Sequence, residues 1–371
     1  MSRIRIGIIG AKHPHIFPRL DLARIYAERC AVVGVYDSDR RTLDRIHETY
    51  GTPVFDDLEA ALENVDLAFV EGYDYQNPEL VRVTIPHVKA LMLEKPGAPN
   101  LAALRDLVDF CATFPVYVSI GYMLEWSPIM AHLHEIIDSG VLGPVTLARF
   151  HCAAPVGGAA EIWQSLPQDE GGLLWTDGCH LMRTVVDLLG QPQTAIGFVR
   201  KLPPGETIVA DIFKRDILSG LGGEAELQIG TLVHEDVAAG ILNYEDKLVT
   251  FDITGWEAHG WVEMWRIELW GANATLEAGL MPPWYRLHVR RDHPQYGRGI
   301  HERRMAGPGS AETSLVPDEA YTREFLHMLD VMEAGDTDQS ELHAGLQTME
   351  ILDAMFRSSR QGGPVSVGRG R

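Results

Sequence analysis

The chain has 371 residues, of which 46% are hydrophobic and 23% charged, with a formal net charge of -20. That length and balance suit two globular domains with a sizeable core. So acidic a surface repels phosphate backbones and anionic lipid, so neither nucleic acid nor a membrane is expected as a partner.

The first part of the chain alternates strand and helix. Ile4–Ile9 reads as a strand, Pro14–Glu28 as a helix, and Cys30–Asp37 as a second, wholly apolar strand. Helices are expected over Arg40–Tyr50, Asp56–Glu63, Pro78–Ala90 and Leu101–Thr113. Strands are expected over Val65–Gly72, Ala90–Pro96 and Val116–Tyr122. This alternation predicts a doubly wound parallel Rossmann sheet over residues 1–122. Residues 123–360 read as an α+β domain. Helices at Pro128–Gly143 and Trp175–Leu189 precede closely spaced strands at 194–201, 225–234, 237–244, 247–256, 265–271, 274–277 and 285–290. Their alternation predicts an open, mostly antiparallel sheet. A long loop is expected over 293–317, helices near 318–333 and 342–360, and an edge strand with a flexible tail over 361–371. The four cysteines are scattered without metal-ligand spacing, which suits a reducing compartment. With no secretory leader read at the N-terminus, a cytoplasmic location is expected.

Ligands of doubly wound sheets sit at the carboxyl ends of the strands. There the opening loop "GAKHPH" keeps the first glycine of a dinucleotide fingerprint, Gly10. It places Lys12 and His15 where the second and third glycines belong. Taken alone, the loop is as consistent with an ordinary strand–helix turn as with cofactor binding. Gly10, Lys12, His13 and His15 are its candidate cofactor contacts. Asp37 ends the second strand, where a carboxylate accepts hydrogen bonds from the ribose of NAD. Arg40 close by is a candidate partner for the 2′-phosphate of NADP. NAD is favoured. Glu94 and Lys95 end another strand, and Pro96 restricts Lys95 to extended geometry.

Asp177 and His180, three apart at a helix start, fall on one face. Lys95, Asp177 and His180 converging on a cleft supply proton transfer and electrostatics for oxidising an alcohol, with His180 titrating near neutrality. Tyr122, Trp126, Trp163 and Trp175 are candidate substrate-stacking aromatics. His13, His15 and His180, with Asp177, are possible metal ligands by residue type, but no spacing is metal-specific, and no metal is expected.

Together these stretches resemble the glucose–fructose oxidoreductase/inositol dehydrogenase (Gfo/Idh/MocA) family over nearly the whole chain. The most specific parts are Glu94-Lys95-Pro96 and "GGLLWTDGCH" with Asp177 and His180. The resemblance implies an NAD(P)-dependent oxidoreductase acting on a sugar, polyol or related hydroxy compound. Lys95 would orient the substrate, His180 would be the general acid/base and Asp177 would support both. It also implies a homodimer or homotetramer formed through the C-terminal sheet. Departures are Lys12 and His15 for glycines, Arg183 where an acid is usual, Glu125 where an arginine is frequent, and "EGYDYQNP", which adds Glu71 and Asp74. They keep two alternatives open: an NAD-assisted glycoside hydrolase or lyase, and a non-catalytic or regulatory ligand-binding protein of the same fold.

Overall fold

The structure is a computed structural model that describes residues 3–153, 168, 171–201, 234–255, 265–281, 283–305 and 319–368. Strands β1 (Ile4–Ile9), β2 (Cys30–Tyr36), β3 (Val54–Phe55), β4 (Leu67–Val70), β5 (Ala90–Glu94) and β6 (Tyr117–Gly121) form a parallel sheet. Its order is β3-β2-β1-β4-β5-β6. The order reverses at β1, so a crevice lies at the carboxyl ends of β1 and β4. Strands β4, β5 and β6 are buried at every position, which explains their unbroken apolar runs.

The crossovers are α1 (Ile16–Ile25), α2 (Arg40–Tyr50), α3 (Leu58–Leu62), α4 (Asn77–Thr84) and α5 (Leu101–Cys111). Local chemistry sets their ends. The Asp39 side chain accepts from the Arg41 amide to cap α2, and Gly51 closes it in a left-handed conformation. Asn100 caps α5 through the Ala103 amide. Helix α1 begins later than its sequence suggests. The backbone first makes a turn in which His13 O accepts from Ile16 N and Pro14 O from Phe17 N.

Helices α6 (Pro128–Asp138), α7 (Leu173–Thr176) and α8 (Gly178–Leu189) flank the second sheet. That sheet comprises β7 (Val145–Ala153), β8 (Thr194–Arg200), β9 (Val237–Asn243), β10 (Leu248–Thr254), β11 (Trp265–Gly271), β12 (Ala274–Met281), β13 (Trp284–Val289), β14 (Gly299–Arg304) and β15 (Val365–Ser366). Among the described residues its order is β14-β13-β12-β11-β7-β10-β9-β8-β15, antiparallel except where β10 runs parallel to β7. Strand β14 corrects the loop expected over 293–317. It is a polar edge strand paired to β13, and its one aliphatic residue, Ile300, is 62% exposed, so no apolar period marks it. Residues 225–233, read as a strand, lie outside the described residues.

Helix α9 (Glu319–Ala334) returns to the first sheet. Phe325, Met328 and Leu329 pack with Ile6, Ile8, Phe69 and Met92, and Phe325 stacks on Phe69 at 5.8 Å. Helix α10 (Ser340–Gln361) packs against α5, α8 and β8. No helix among the described residues is long and apolar enough to cross a membrane.

Candidate functional site

The crevice is lined from three directions. The β1–α1 loop comes first. Gly10 has φ +85°, and a Cβ there would lie 2.7 Å from the backbone nitrogen of Gly72. Glycine is therefore required by the contact between two loops, whatever ligand binds. The Lys12 amide donates to Glu71 O at 3.0 Å, closing the same contact. At the end of β2, Asp37 is buried and accepts three hydrogen bonds. These come from Ala11 N at 2.7 Å, Lys12 Nζ at 2.6 Å and Asp39 N at 2.7 Å. Lys12 thus spans to the carboxylate of β2. Arg40 points elsewhere, pairing with Asp44 at 2.9 Å and Asp56 at 3.6 Å.

The second wall is a buried charge cluster. Arg19 on α1 is 1% exposed and donates to Glu71 Oε1 at 2.5 Å and to Glu324 Oε2 on α9 at 3.0 Å. Its guanidinium lies 4.6 Å from the centre of the Phe69 ring. Glu94 sits beside it, with His15 Nδ1 at 3.0 Å and His13 Nε2 at 3.7 Å. Burial pushes the Glu71 carboxyl up to about 7 and Glu94 to about 6, against the pull of the neighbouring cations. Burial holds His15 down at about 3 and His13 well below its usual range, so both rings are neutral.

The third wall joins the two sheets. The Lys95–Pro96 peptide is cis. Lys95 Nζ donates to Thr176 O at 3.0 Å and lies 4.0 Å from Asp177 Oδ1. Burial opposes the ammonium charge, but Asp177 and the carboxylates beyond it outweigh burial and raise Lys95. Asp177 caps the start of α8 through its backbone, its carbonyl accepting from His180 N. His180 is buried, its ring edge-on to Tyr122 at 5.6 Å and to Trp265 at 6.0 Å. Its Nδ1 makes no hydrogen bond among the described residues. Burial first, then Lys95, lowers His180 well below its usual range.

The structure therefore brings Lys95, Asp177 and His180 together, and it adds residues the sequence did not reveal. Arg19 and Glu324 are separated by 305 positions, so no local pattern links them. Glu235 accepts from Gly172, Leu174 and Trp175 amides with one oxygen, anchoring the turn that presents Asp177. Trp265 supplies one wall of the His180 pocket. The candidate aromatics are placed differently from the expectation. Trp175 is a core residue, 3% exposed, packed against Phe356 with its indole N–H on Ala98 O. Tyr122 is buried with its hydroxyl on Met349 Sδ, behind His180. Trp126 lies against His327 of α9, ring centres 4.4 Å apart. Trp163 lies outside the described residues.

The two charge departures compensate each other. Arg183, buried on α8, reaches Glu125 at 3.7 Å, Asp187 at 3.9 Å and Glu341 at 2.8 Å. Acid and base thus stand at each other's places relative to the pattern the resemblance implies, and burial pushes the Glu125 carboxyl up to about 8 against the pull of Arg183.

Comparison with known proteins follows the same architecture. Residues 4–122 match the NAD-binding Rossmann fold of the GFO_IDH_MocA oxidoreductase family, and residues 134–367 match that family's C-terminal alpha/beta domain. A Xenopus laevis trans-1,2-dihydrobenzene-1,2-diol dehydrogenase is 22% identical over 170 residues, 45% of this chain and 50% of the other. The chain spans about half the length of the curated relatives it matches. Levoglucosan dehydrogenase in complex with NADH and levoglucosan superposes with a TM-score of 0.81 at 13% identity, over 99% of this chain and 100% of that one. The WlbA dehydrogenase of Bordetella pertussis, in complex with NADH and UDP-GlcNAcA, gives 0.75 at 16%, over 100% of both. At these identities the likeness is one of fold.

The residues present fit NAD at its ribose end. A carboxylate offers about four acceptor positions, and three on Asp37 are filled, which leaves one for a ribose hydroxyl. At the phosphate end the fit differs from a glycine loop. The His15, Ile16 and Phe17 amides are already engaged within the turn.

The Arg183 pairing has a measurable consequence. Arg183→Met leaves Glu125 and Asp187 without their buried cation and is expected to cost about 3–5 kcal/mol. The Glu125→Gln/Arg183→Met double variant is expected to cost less than the sum of the singles by about 1–3 kcal/mol, read from urea unfolding. Additive losses would mean that the pair is not coupled.

Proposed function

The chain belongs to the Gfo/Idh/MocA oxidoreductase family, and from that premise we propose that it transfers a hydride between NAD and a hydroxyl-bearing carbon of a sugar, polyol or related hydroxy compound. The observation that carries this reading is the meeting of Lys95, Asp177 and His180 where β5 ends against α8. When bound, NAD supplies the nicotinamide carbon that accepts the hydride. The chain's part is to hold the substrate and move its proton. Lys95 stays an ammonium, fixed by Thr176 O and Asp177, and favours the alkoxide over the alcohol at a hydroxyl placed against it. His180 is neutral, and its unengaged ring nitrogen Nδ1 accepts the hydroxyl proton and returns it in the reverse direction. Burial of Lys95 and His180 excludes water, which strengthens both effects. Asp177 positions Lys95.

The choice of NAD over NADP is supported by Asp37, whose carboxylate repels a 2′-phosphate, and by Arg40, which is occupied by two acids. The substrate class is supported by the sugar ligands named for the dehydrogenases of like fold.

We also infer a homodimer or homotetramer through the second sheet. Leu147, Ile196, Phe198, Ile241 and Leu248 are exposed on one face, with Leu147 beside Leu248 and Ile196 beside Ile241 across neighbouring strands. Such a face is suited to a second copy.

With NAD and a panel of aldoses, polyols and glycosides, reduced nicotinamide is expected to accumulate for the wild-type enzyme. His180→Asn should lower kcat by about a hundredfold or more while leaving NAD affinity nearly unchanged. A variant that keeps its rate removes His180 from the proton transfer. The pH profile carries a sign. The active form of His180 is neutral and burial lowers its pKa, so the acid limb of kcat/KM should fall below pH 6.5. An acid limb at or above that value contradicts the assignment. Phe198→Asp should shift the sedimenting species towards monomer, and an unchanged assembly would place the interface elsewhere.

A further inference from the structure

The β1–α1 loop spends two imidazoles where a dinucleotide fold uses glycine and backbone, and neither the hydride transfer nor the proton transfer requires them. His13 Nε2, His15 Nδ1 and a carboxylate oxygen of Glu94 all lie within 4.8 Å of one another. His13 Nε2 lies 3.7 Å from Glu94 Oε1 and His15 Nδ1 lies 3.0 Å from Glu94 Oε2, and the two rings meet edge-on with centres 4.1 Å apart. Bonds of about 2.0 Å to a tetrahedral ion place donor atoms about 3.3 Å apart. Donor atoms within 4.8 Å of one another have at most about 1.5 Å to close to reach that spacing.

We propose that His13, His15 and Glu94 form a binding site for a divalent first-row transition ion such as Zn2+. Two imidazole nitrogens and one carboxylate oxygen select zinc, iron or cobalt over magnesium or calcium, which prefer sites made wholly of oxygen. Three protein ligands leave at least one position open.

Charge supplies a second, independent argument. Around the two rings three buried carboxyl groups, Glu71, Glu94 and Glu324, face one buried guanidinium, Arg19. Ionised, the three carboxylates outnumber the two buried cations beside them, Arg19 and Lys95, by one, and that excess away from water is costly unless matched. A bound cation offsets it. Among the described residues, Glu324 Oε1 has no hydrogen-bond partner, and Glu71 and Glu94 lie close enough to each other to interact directly, so acceptor oxygens crowd the chamber. Arg19 donates to Glu71 and Glu324, and Lys95 donates to Thr176 O, so the hydrogen bonds of both cations named here go to groups other than Glu94. The register of the loop matters too. Pro14 separates the histidines, and the Ile16–His13 turn holds both rings over the end of β5.

The test needs neither NAD nor turnover. Tag-free, full-length protein stripped by chelator is titrated with Zn2+ by calorimetry and with Co2+ by visible absorption. One ion per chain is expected, with the intense ligand-field bands of four-coordinate Co2+. The melting temperature should rise with free Zn2+. His15→Gln, on the more open side of the cluster, should weaken binding at least about tenfold, and so should Glu94→Gln. His132→Gln, which alters a surface His132–Glu135 pair, should leave binding unchanged. The site is overturned by binding that is absent, or equal in wild type and the His15→Gln variant, or accompanied only by the weak spectrum of octahedral Co2+. If either core variant fails to fold, the wild-type stoichiometry and Co2+ spectrum decide by themselves.

Discussion

The arrangement depends on one buried cation. Arg19 lies on the first helix after the nucleotide-binding loop, is closed off from water, and holds Glu71 at the end of β4 and Glu324 on α9 at once. A guanidinium in that position is tolerable only because its fork is matched by two carboxylates and lies against Phe69. The three partners come from the start of the first sheet, its middle and a helix more than two hundred residues later. Their pairing therefore fixes where the distal helix closes the crevice. The stack of Phe325 on Phe69 lies alongside and supplies apolar burial to the same joint.

From that joint the rest of the site follows. Glu71 backs the β1–α1 loop through the Lys12 amide, and Gly72 presses on Gly10. The loop is thereby held without the glycines that usually let a pyrophosphate approach. Lys12 turns to the Asp37 carboxylate at the end of β2, and the two histidines turn inward to Glu94. On the other side, Glu235 holds the turn before α8 so that Asp177 meets Lys95. The reacting groups thus rest on rigid elements from both sheets.

Much of this was legible in the residues. The parallel strands announce themselves as unbroken apolar runs because both faces are covered, and Lys95, Asp177 and His180 stand out as candidates through the Glu94-Lys95-Pro96 and "GGLLWTDGCH" stretches that carry the family resemblance. What escaped has physical reasons. Strand β14 is polar and exposed, so hydrophobic periodicity gives it no signal. Trp175 reads equally as a stacking surface or as core until Ala98 O and Phe356 are seen around it. Glu125 and Arg183 look like two separate losses in the sequence, although the fold sets them 3.7 Å apart. Arg19 looks like an ordinary helix-surface arginine, because its two partners lie far along the chain.

We propose that a loop lacking two of its three glycines still seats NAD through the Asp37 carboxylate, which Lys12 holds in place. Calorimetric titration of the folded, full-length protein with NAD and NADP tests it most directly, alongside Asp37→Ala. The account predicts one NAD site per chain, weaker binding of NADP, and a loss of at least about tenfold in NAD affinity on removing the Asp37 carboxylate. Folded protein that binds neither dinucleotide, or that binds NAD equally well without Asp37, would contradict it.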